Sequence, residues 1–282
     1  MVRDSILITG ASTGIGRTCS LHLAGRGFRV FAGVRKEADA EQLVAEDNAI
    51  EPVRIDVTDA AQIDAARSRI EEILDGDGLR GLVNNAGIAV PAPLEILPIA
   101  ELRRQLEVNA VGQVAVTQAF LPLLRRSQRP ATIVNMSSLS GRFAFPVMGA
   151  YAASKFALEA IGDALRVELR PWKIRVVSVE PGVIATPIWA KTLETGGGMI
   201  DNLPETARRP YQPLIDFVRD SVDPDMGIPP VRVARIVARA LIARRPRARY
   251  VVGASARLQL LLNHLPTRLR DWLVARSLPD YG

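Results

Sequence analysis

The sequence predicts an α/β protein in one domain, a doubly wound sheet of seven parallel strands with helices on both faces. Three observations carry this. Seven short apolar runs recur along the chain, each bounded by turn residues; the segments between them carry apolar residues at helical spacing; and the first run passes directly into a glycine-rich turn. Strand and helix that take turns, with strands apolar on both faces, give a parallel sheet joined by right-handed crossovers.

The runs are Ile6-Leu7-Ile8, Val30-Phe31-Ala32, Val53-Arg54-Ile55, Leu82-Val83, Ile133-Val134, Val176-Val177-Ser178-Val179 and Tyr250-Val251-Val252. Segments 15–26, 59–74, 101–126, 150–170 and 231–244 read as helices, with Arg and Glu opposite the apolar stripe. One stretch, about 187–230, breaks the alternation. It holds Gly196-Gly197-Gly198, several prolines and unperiodic apolar residues, so a lid over a substrate is expected there. The end of the chain, about 255–278, reads as a helical extension.

With 282 residues, 48% of them hydrophobic, the chain can bury a large core. Its single cysteine, Cys19, excludes an intrachain disulfide and a thiolate metal cage, and no metal is expected. It also suits the cytoplasm, the compartment expected here. No signal segment is read at the N-terminus, and no apolar run approaches the ~20 residues of a bilayer span. A net charge of +6 admits nucleic acid, anionic lipid or an anionic cofactor. The arginines gather late, at Arg244, Arg245, Arg247 and Arg249, without interleaved aromatics to stack bases, so nucleic acid is not expected.

After the first strand comes Thr9-Gly10-Ala11-Ser12-Thr13-Gly14-Ile15-Gly16-Arg17. Glycines let a backbone turn tightly against a pyrophosphate, and the following helix N-terminus offers free N–H groups and a positive dipole. Gly10, Ser12, Thr13, Gly14, Ile15 and Gly16 are the expected phosphate contacts, in a Rossmann arrangement. No Gly-Lys-Ser/Thr follows, which excludes a Walker-type loop. At the end of the second strand, where an acidic residue would bind the ribose 2′-hydroxyl, the sequence reads Gly33-Val34-Arg35-Lys36. Arg35 can pair with a 2′-phosphate, so NADP(H) is expected ahead of NAD(H), although Glu37 and Asp39 keep NAD(H) open.

Asp56, followed by Val57 at the end of the third strand, can accept from an adenine amino group or equally cap a helix with Thr58 and Asp59. Asn84-Asn85-Ala86-Gly87 ends the fourth strand. Asn84, Ala86 and Gly87 are expected beside adenosine, with the amide side chains tying neighbouring strands; an ordinary Asn-rich turn is the other reading. Tyr151 and Lys155 stand four apart, on one helix face. A nearby ammonium favours the phenolate and brings tyrosine toward a working range for acid/base chemistry.

Taken together, Thr9-Gly10-x-x-x-Gly14-x-Gly16, Asn84-Asn85-Ala86-Gly87, Ser138, Tyr151-x-x-x-Lys155 and Pro181-Gly182 resemble the short-chain dehydrogenases/reductases of single-domain type. The resemblance covers about residues 4–187. It implies Tyr151 as general acid/base and Lys155 as the group that lowers its pKa and holds the nicotinamide ribose. Ser138 would polarise the substrate oxygen, with Ser137 and Ser140 as competing registers. Asn109 would bend its helix and hold a water that passes protons from Lys155. Pro181, Gly182, Val183 and Thr186 would wrap the nicotinamide.

Trp189, Leu193, Met199, Tyr211 and Phe217, with Phe143, Phe145 and Met148 before Tyr151, predict an apolar pocket. The second strand and the C-terminal extension resemble members that act on steroids or retinoids, so a hydrophobic secondary alcohol, ketone or aldehyde is expected. The extension, with arginines and Trp272, can lie on a membrane surface; packing on its own domain or a partner subunit is the favoured reading. A homo-oligomer, dimer or tetramer, is the family habit. A Ser-His-Asp hydrolase is set aside because His22 and His264 adjoin no nucleophile elbow. A sugar-nucleotide epimerase would have another glycine spacing and a larger C-terminal domain. A cofactor sensor without turnover would share the same loop and stays open.

Overall fold

The computed structural model describes residues 4–188, 197–221 and 227–279. Seven strands, β1 (Ser5–Ile8), β2 (Arg29–Val34), β3 (Ile50–Arg54), β4 (Leu79–Asn84), β5 (Thr132–Met136), β6 (Arg175–Pro181) and β7 (Arg249–Val252), form one sheet in the order β3-β2-β1-β4-β5-β6-β7. Every pairing is parallel. The chain winds outward from β1 to β3 and then crosses back to β4. This reversal opens a crevice beyond the C-terminal ends of β1 and β4.

Because side chains alternate across a strand, each strand feeds two cores. Ile6, Ile8, Val30 and Ala32 face one, completed by Cys19 and Leu23 of α1 (Gly14–Ala24), Ala40 and Leu43 of α2 (Glu37–Glu46), and Val233, Val237 and Leu241 of the helix Pro230–Ile242. Leu7 and Phe31 face the other, against Ile63, Ala66 and Ile70 of α3 (Ala60–Leu74) and Val116, Phe120 and Leu123 of α5 (Gly112–Arg125).

The region expected as one helix over 101–126 is three segments. It comprises α4 (Ile99–Leu106), a π-helical turn (Glu107–Val111) and α5. The widened turn contains the buried Asn109. Gly112 makes the join possible, since a methyl group there would come within 2.7 Å of the Val57 carbonyl oxygen. The sequence reading also passed over α2, whose 37–46 run is short and half exposed.

Beyond α6 (Gly149–Glu168) and β6, the stretch 187–230 is not simply irregular. It is helical at 197–201, in α7 (Glu205–Arg208) and in α8 (Gln212–Ser221). Its two ends are stitched together: Ile184 bridges Ile228, the Ile228 N–H donates to the Val183 carbonyl at 3.0 Å, and the Ala185 N–H donates to the Ile228 carbonyl at 3.1 Å. The chain therefore leaves and re-enters the fold at one point and continues as α9 (Pro230–Ile242). The final extension is two helices, α10 (Ala254–Leu261) and α11 (Thr267–Ala275), because Pro266 cannot continue the first.

Phe120 is fully buried between α3, α5 and the sheet. Replacing it by alanine should lower the unfolding free energy by about 3–5 kcal/mol. Urea titration checks this, and a loss under ~1 kcal/mol would show that this layer is not a packed core.

Candidate active site

The phosphate loop is held by contacts too close for side chains. Gly10 (φ 63°) and Gly14 (φ 58°) adopt left-handed backbone that glycine alone takes without strain. A Cβ on Gly16 would stand 2.2 Å from the Gly10 carbonyl oxygen and 2.5 Å from Asn85 Nδ2. The loop is then tied to the end of β4. Thr9 Oγ1 accepts from the N–H groups of Asn85 and Ala86, both at 3.0 Å, and Asn85 Nδ2 donates to the carbonyls of Thr9 and Gly10 at 3.0 Å. Thr9 and Asn85 are therefore functional residues that sequence reasoning missed as such. Their signal was present in the motif, where each was passed over for its neighbour.

At the start of α1, Thr13 makes no side-chain cap, so the first N–H groups of this eleven-residue helix face the crevice. Thr186 lies against Gly14, where a methyl group would come within 3.3 Å of its Cβ. The segment after β6 is thereby folded back over the phosphate loop, with Pro181 ending the strand and the Gly182 N–H donating to the Val252 carbonyl at 3.0 Å. Val183 is exposed, but its carbonyl is committed to Ile228. A cradle of this shape, with a free helix N-terminus, fits a dinucleotide pyrophosphate.

Three expected cofactor contacts require comment. The Asn84 side chain is buried and turned inward, donating to Thr117 Oγ1 at 2.9 Å and Asn135 Oδ1 at 3.0 Å, so it ties α5 and β5 to β4 and does not face the crevice. Asp56 Oδ1 accepts from the Thr58 N–H and hydroxyl at 3.0 and 2.8 Å, while Asp59 caps α3 by accepting from the Gln62 N–H. The capping reading therefore falls to Asp59, and Asp56 keeps Oδ2 free of Thr58. Arg35 is 73% exposed at the end of β2, with its Nη1 only 3.8 Å from Asp56 Oδ2.

The residues expected to react lie just after β5, on α6 and in the π turn. Tyr151 is half-buried and shares a hydrogen bond with Ser138. Ser138 Oγ accepts from the Ser140 N–H at 3.1 Å, leaving its own O–H to donate. Ser137 is buried, with its Oγ beside Gly141. Lys155 is buried, and its Nζ donates to the Met136 carbonyl at 2.8 Å while lying 5.8 Å from the centroid of the Tyr151 ring.

Burial pushes the Lys155 ammonium down to about 8. The Tyr151 phenol is pushed up by burial, and the Ser138 bond only partly opposes this. Asn109 Oδ1 accepts from the Ile88 N–H at 2.8 Å, and its Nδ2 donates to the Ile88 carbonyl at 2.8 Å and Ser154 Oγ at 2.9 Å. Gly87 sits between Asn109 and Lys155. A methyl group there would lie 3.2 Å from Asn109 Oδ1 and 3.6 Å from Lys155 Nζ.

Pro91, Val147, Gly197, Ile200, Ile215, Val218 and Arg219 line a small, mostly apolar pocket. Ala150, Val90 and Ala92 meet Ile200 and Ile215 in a third buried cluster, against which Met199 and Tyr211 also pack. Phe143, Phe145, Met148 and Phe217 are half-buried. Trp189 and Leu193 lie outside the described residues. Among the described residues no group of three or more His, Cys, Asp or Glu gathers to hold a metal.

The fold and cradle define a dinucleotide-dependent oxidoreductase class. The short chain dehydrogenase family matches residues 4–196. The chain is 38% identical over 263 residues to a 3-amino-tetrahydro-pyrrolizinone reductase of Xenorhabdus hominickii, covering 91% of this chain and 89% of the relative. It is 35% identical to an NADPH-dependent 3-dehydrocapnine reductase of Ornithobacterium rhinotracheale, covering 96% of each. With human 17-beta-hydroxysteroid dehydrogenase type 6 it shares 34% identity, covering 97% of this chain and 88% of the relative. A solved short chain dehydrogenase from Burkholderia cenocepacia, in complex with NADP, superposes with a TM-score of 0.73 at 28% identity, over 99% of this chain and 98% of that one. The chain belongs to the short chain dehydrogenase family and is an NAD(P)-dependent oxidoreductase acting on CH–OH groups.

Gly16→Ala should cost about 1–3 kcal/mol of stability, since the added methyl meets backbone that cannot swing aside. It should also weaken dinucleotide binding beyond what the fold loses. Thermal denaturation with and without cofactor checks both, and unchanged cofactor stabilisation would refute the close approach.

Proposed function

We propose that this protein moves a hydride between NADP(H) and an alcohol, ketone or aldehyde carbon on a large apolar substrate. The observation that carries the reading is the gathering of Ser138, Tyr151, Lys155 and Asn109 at one end of the sheet. The nicotinamide supplies or accepts the hydride. In reduction, Tyr151 gives its proton to the substrate oxygen; in oxidation it takes the hydroxyl proton. Ser138 donates a hydrogen bond to that oxygen. Lys155 binds the nicotinamide ribose as an ammonium, and Asn109, fixed by Ile88 and Ser154, keeps a lone pair for a water that returns protons to solvent.

Several observations support the finer assignments. Arg35 stands exposed at the end of β2 where no carboxylate precedes it, which favours the 2′-phosphate of NADP(H). A relative named for NADPH and a neighbour solved with NADP agree with this choice. The phosphate loop from Gly10 to Gly16, with Ser12, Thr13 and Ile15 at the helix start, would receive the pyrophosphate; Asp56, Val57, Ala86 and Gly87 would line the adenosine side, and Pro181, Gly182, Val183 and Thr186 the nicotinamide side. The apolar lining, and a relative named for a hydroxysteroid, favour a bulky hydrophobic substrate under a lid formed by about 187–230. Exposed Val111 of the π turn, with Phe156 and Val167 of α6, suits a homo-oligomer built on the long helices of 101–126 and 150–170. No helix among the described residues is long and apolar enough to cross a membrane, and a lone buried cysteine suits the cytoplasm.

Tyr151→Phe should retain NADPH binding and lose about 10²–10⁴-fold in kcat/KM on a panel of hydrophobic ketones. Full turnover in this variant would overturn the mechanism, and binding without any wild-type turnover would favour the sensor reading. Activity should fall as pH rises through about 8, where Lys155 loses its charge. Arg35→Ala should weaken NADPH about 10-fold while leaving NADH nearly unchanged, the loss of one charge-assisted bond. Equal effects on both dinucleotides, measured by fluorescence titration, would count against the 2′-phosphate assignment.

A further inference from the structure

A buried charge cluster lies behind the reactive face of α6, and hydride transfer does not use it directly. Glu159 follows Lys155 by one helical turn, so the two share a face, and they are 5% and 4% exposed. Glu180, at the end of β6, is fully buried. Arg249 of β7 stands between the two carboxylates. Its Nε lies 3.0 Å from Glu159 Oε2 and 3.2 Å from Glu180 Oε1, while its Nη2 donates to both Asp163 oxygens at 2.7 Å. Arg142, from the turn after β5, places its Nη1 3.5 Å from Glu180 Oε1, and Arg166 donates to Asp163 at 2.6 Å. Gly141 closes the cluster from above. A methyl group there would meet Ser137 Oγ at 2.7 Å, and Glu159 Cγ and the Lys155 carbonyl at 3.1 Å.

A carboxylate taken out of water costs several kcal/mol unless it is well paired. Glu159 is incompletely paired: Oε2 has Arg249, but Oε1 is buried without a hydrogen bond partner in the protein. The cation that shares its helix face is Lys155, which is itself buried and has only a neutral carbonyl as its hydrogen bond acceptor. Each charge therefore compensates the other. We propose that Glu159 is a positioning residue for proton transfer: its carboxylate keeps Lys155 an ammonium, and Arg249 fixes that carboxylate in place. This rests on the reading above, in which Lys155 acts as a cation. The direction is consistent, since burial lowers the Lys155 pKa and Glu159 opposes that fall.

The test isolates Lys155 from the tyrosine. In Tyr151→Phe protein, NADPH affinity is followed by fluorescence between about pH 6 and pH 10, with and without Glu159→Gln. Affinity should fail on the alkaline side in both, about one pH unit earlier when the carboxylate is gone. The alkaline limb of kcat/KM should move the same way in Glu159→Gln alone, with KM at neutral pH little changed. Glu180→Gln removes another carboxylate from the same Arg249 without touching the Lys155 face, and should leave the limb in place. Coincident limbs with and without Glu159, or an equal shift in Glu180→Gln, overturn the proposal. Should Glu159→Gln not fold, Glu159→Asp, which keeps the charge on a shorter arm, should give a smaller shift of the same sign, and no shift overturns it. Absence of any alkaline loss in Tyr151→Phe would remove the Lys155 role itself, and full turnover in that variant would remove the tyrosine role; neither is confused with coincident limbs.

Discussion

The site depends on a crossing of two main chains that leaves no space for a side chain. Gly16 lies so close to the Gly10 carbonyl that a methyl group would overlap it, and Asn85 closes the same spot from β4. The sheet order makes this necessary. The winding order of the sheet reverses between β1 and β4, so the loops that follow these two parallel strands diverge and would leave the crevice without a floor. Thr9 and Asn85 pull the two loops together with four hydrogen bonds, each joining a side chain of one loop to a main-chain group of the other. Only then do the α1 N–H groups and the Asn84–Gly87 turn face the same volume. The reactive groups inherit this placement, because Gly87 sets how near Asn109 and Lys155 can come.

A second constraint distinguishes the two halves of the sheet. Around β1, β2 and α1 the core is apolar. Under α6 it is not: Asn84, Thr132, Asn135, Ser137, Ser178, Glu159 and Glu180 are all buried. Gly162 lets α6 approach this surface, since a methyl group there would stand 3.2 Å from Asn135 Nδ2 and 3.6 Å from Ser178 Oγ. Hydrophobic replacements of similar volume would commonly hold such a layer as well or better. Buried polar groups with few partners have instead one favourable arrangement relative to one another, which fixes the rotation of α6 about its axis. Tyr151 and Lys155 need that rotation held, because a helix turned by even a fraction of a residue would carry both away from Ser138.

What the sequence disclosed follows from the range of the forces involved. Alternating apolar runs and helical stripes are local patterns, and the seven strands and the main crossover helices lie where they place them. The glycines were legible because a backbone that must turn or touch another leaves a one-residue signature. Asn109 was legible through the family motif, and the π turn that surrounds it is the bend expected there. Other features depend on contacts distant in sequence. The Asn-rich turn announced amides that tie neighbouring strands but not that Asn84 takes Asn135, 51 positions away, and the run from Asp56 to Asp59 announced a cap without saying which carboxylate makes it. The helices of 205–221 escaped because short segments packed on one another need no steady period. The buried cluster around Arg249 was invisible for the same reason, since Arg249 reads as the last member of a basic run and its partners lie on α6 and β6.

Val147 joins these constraints to the substrate side. Its φ of 69° puts a β-branched side chain in left-handed backbone, a conformation that costs of order 1–3 kcal/mol and persists only where surroundings dictate it. Here they do: the Ala92 N–H donates to its carbonyl at 2.9 Å, and its side chain is buried at the pocket wall opposite Ile200 and Ile215. The strained turn reverses the chain so that α6 can begin two residues later, with Tyr151 in its first turn. A glycine would adopt the same backbone without strain but would leave the pocket wall open. Strain at Val147 is thus the local cost of letting one residue both turn the chain into α6 and wall the apolar pocket.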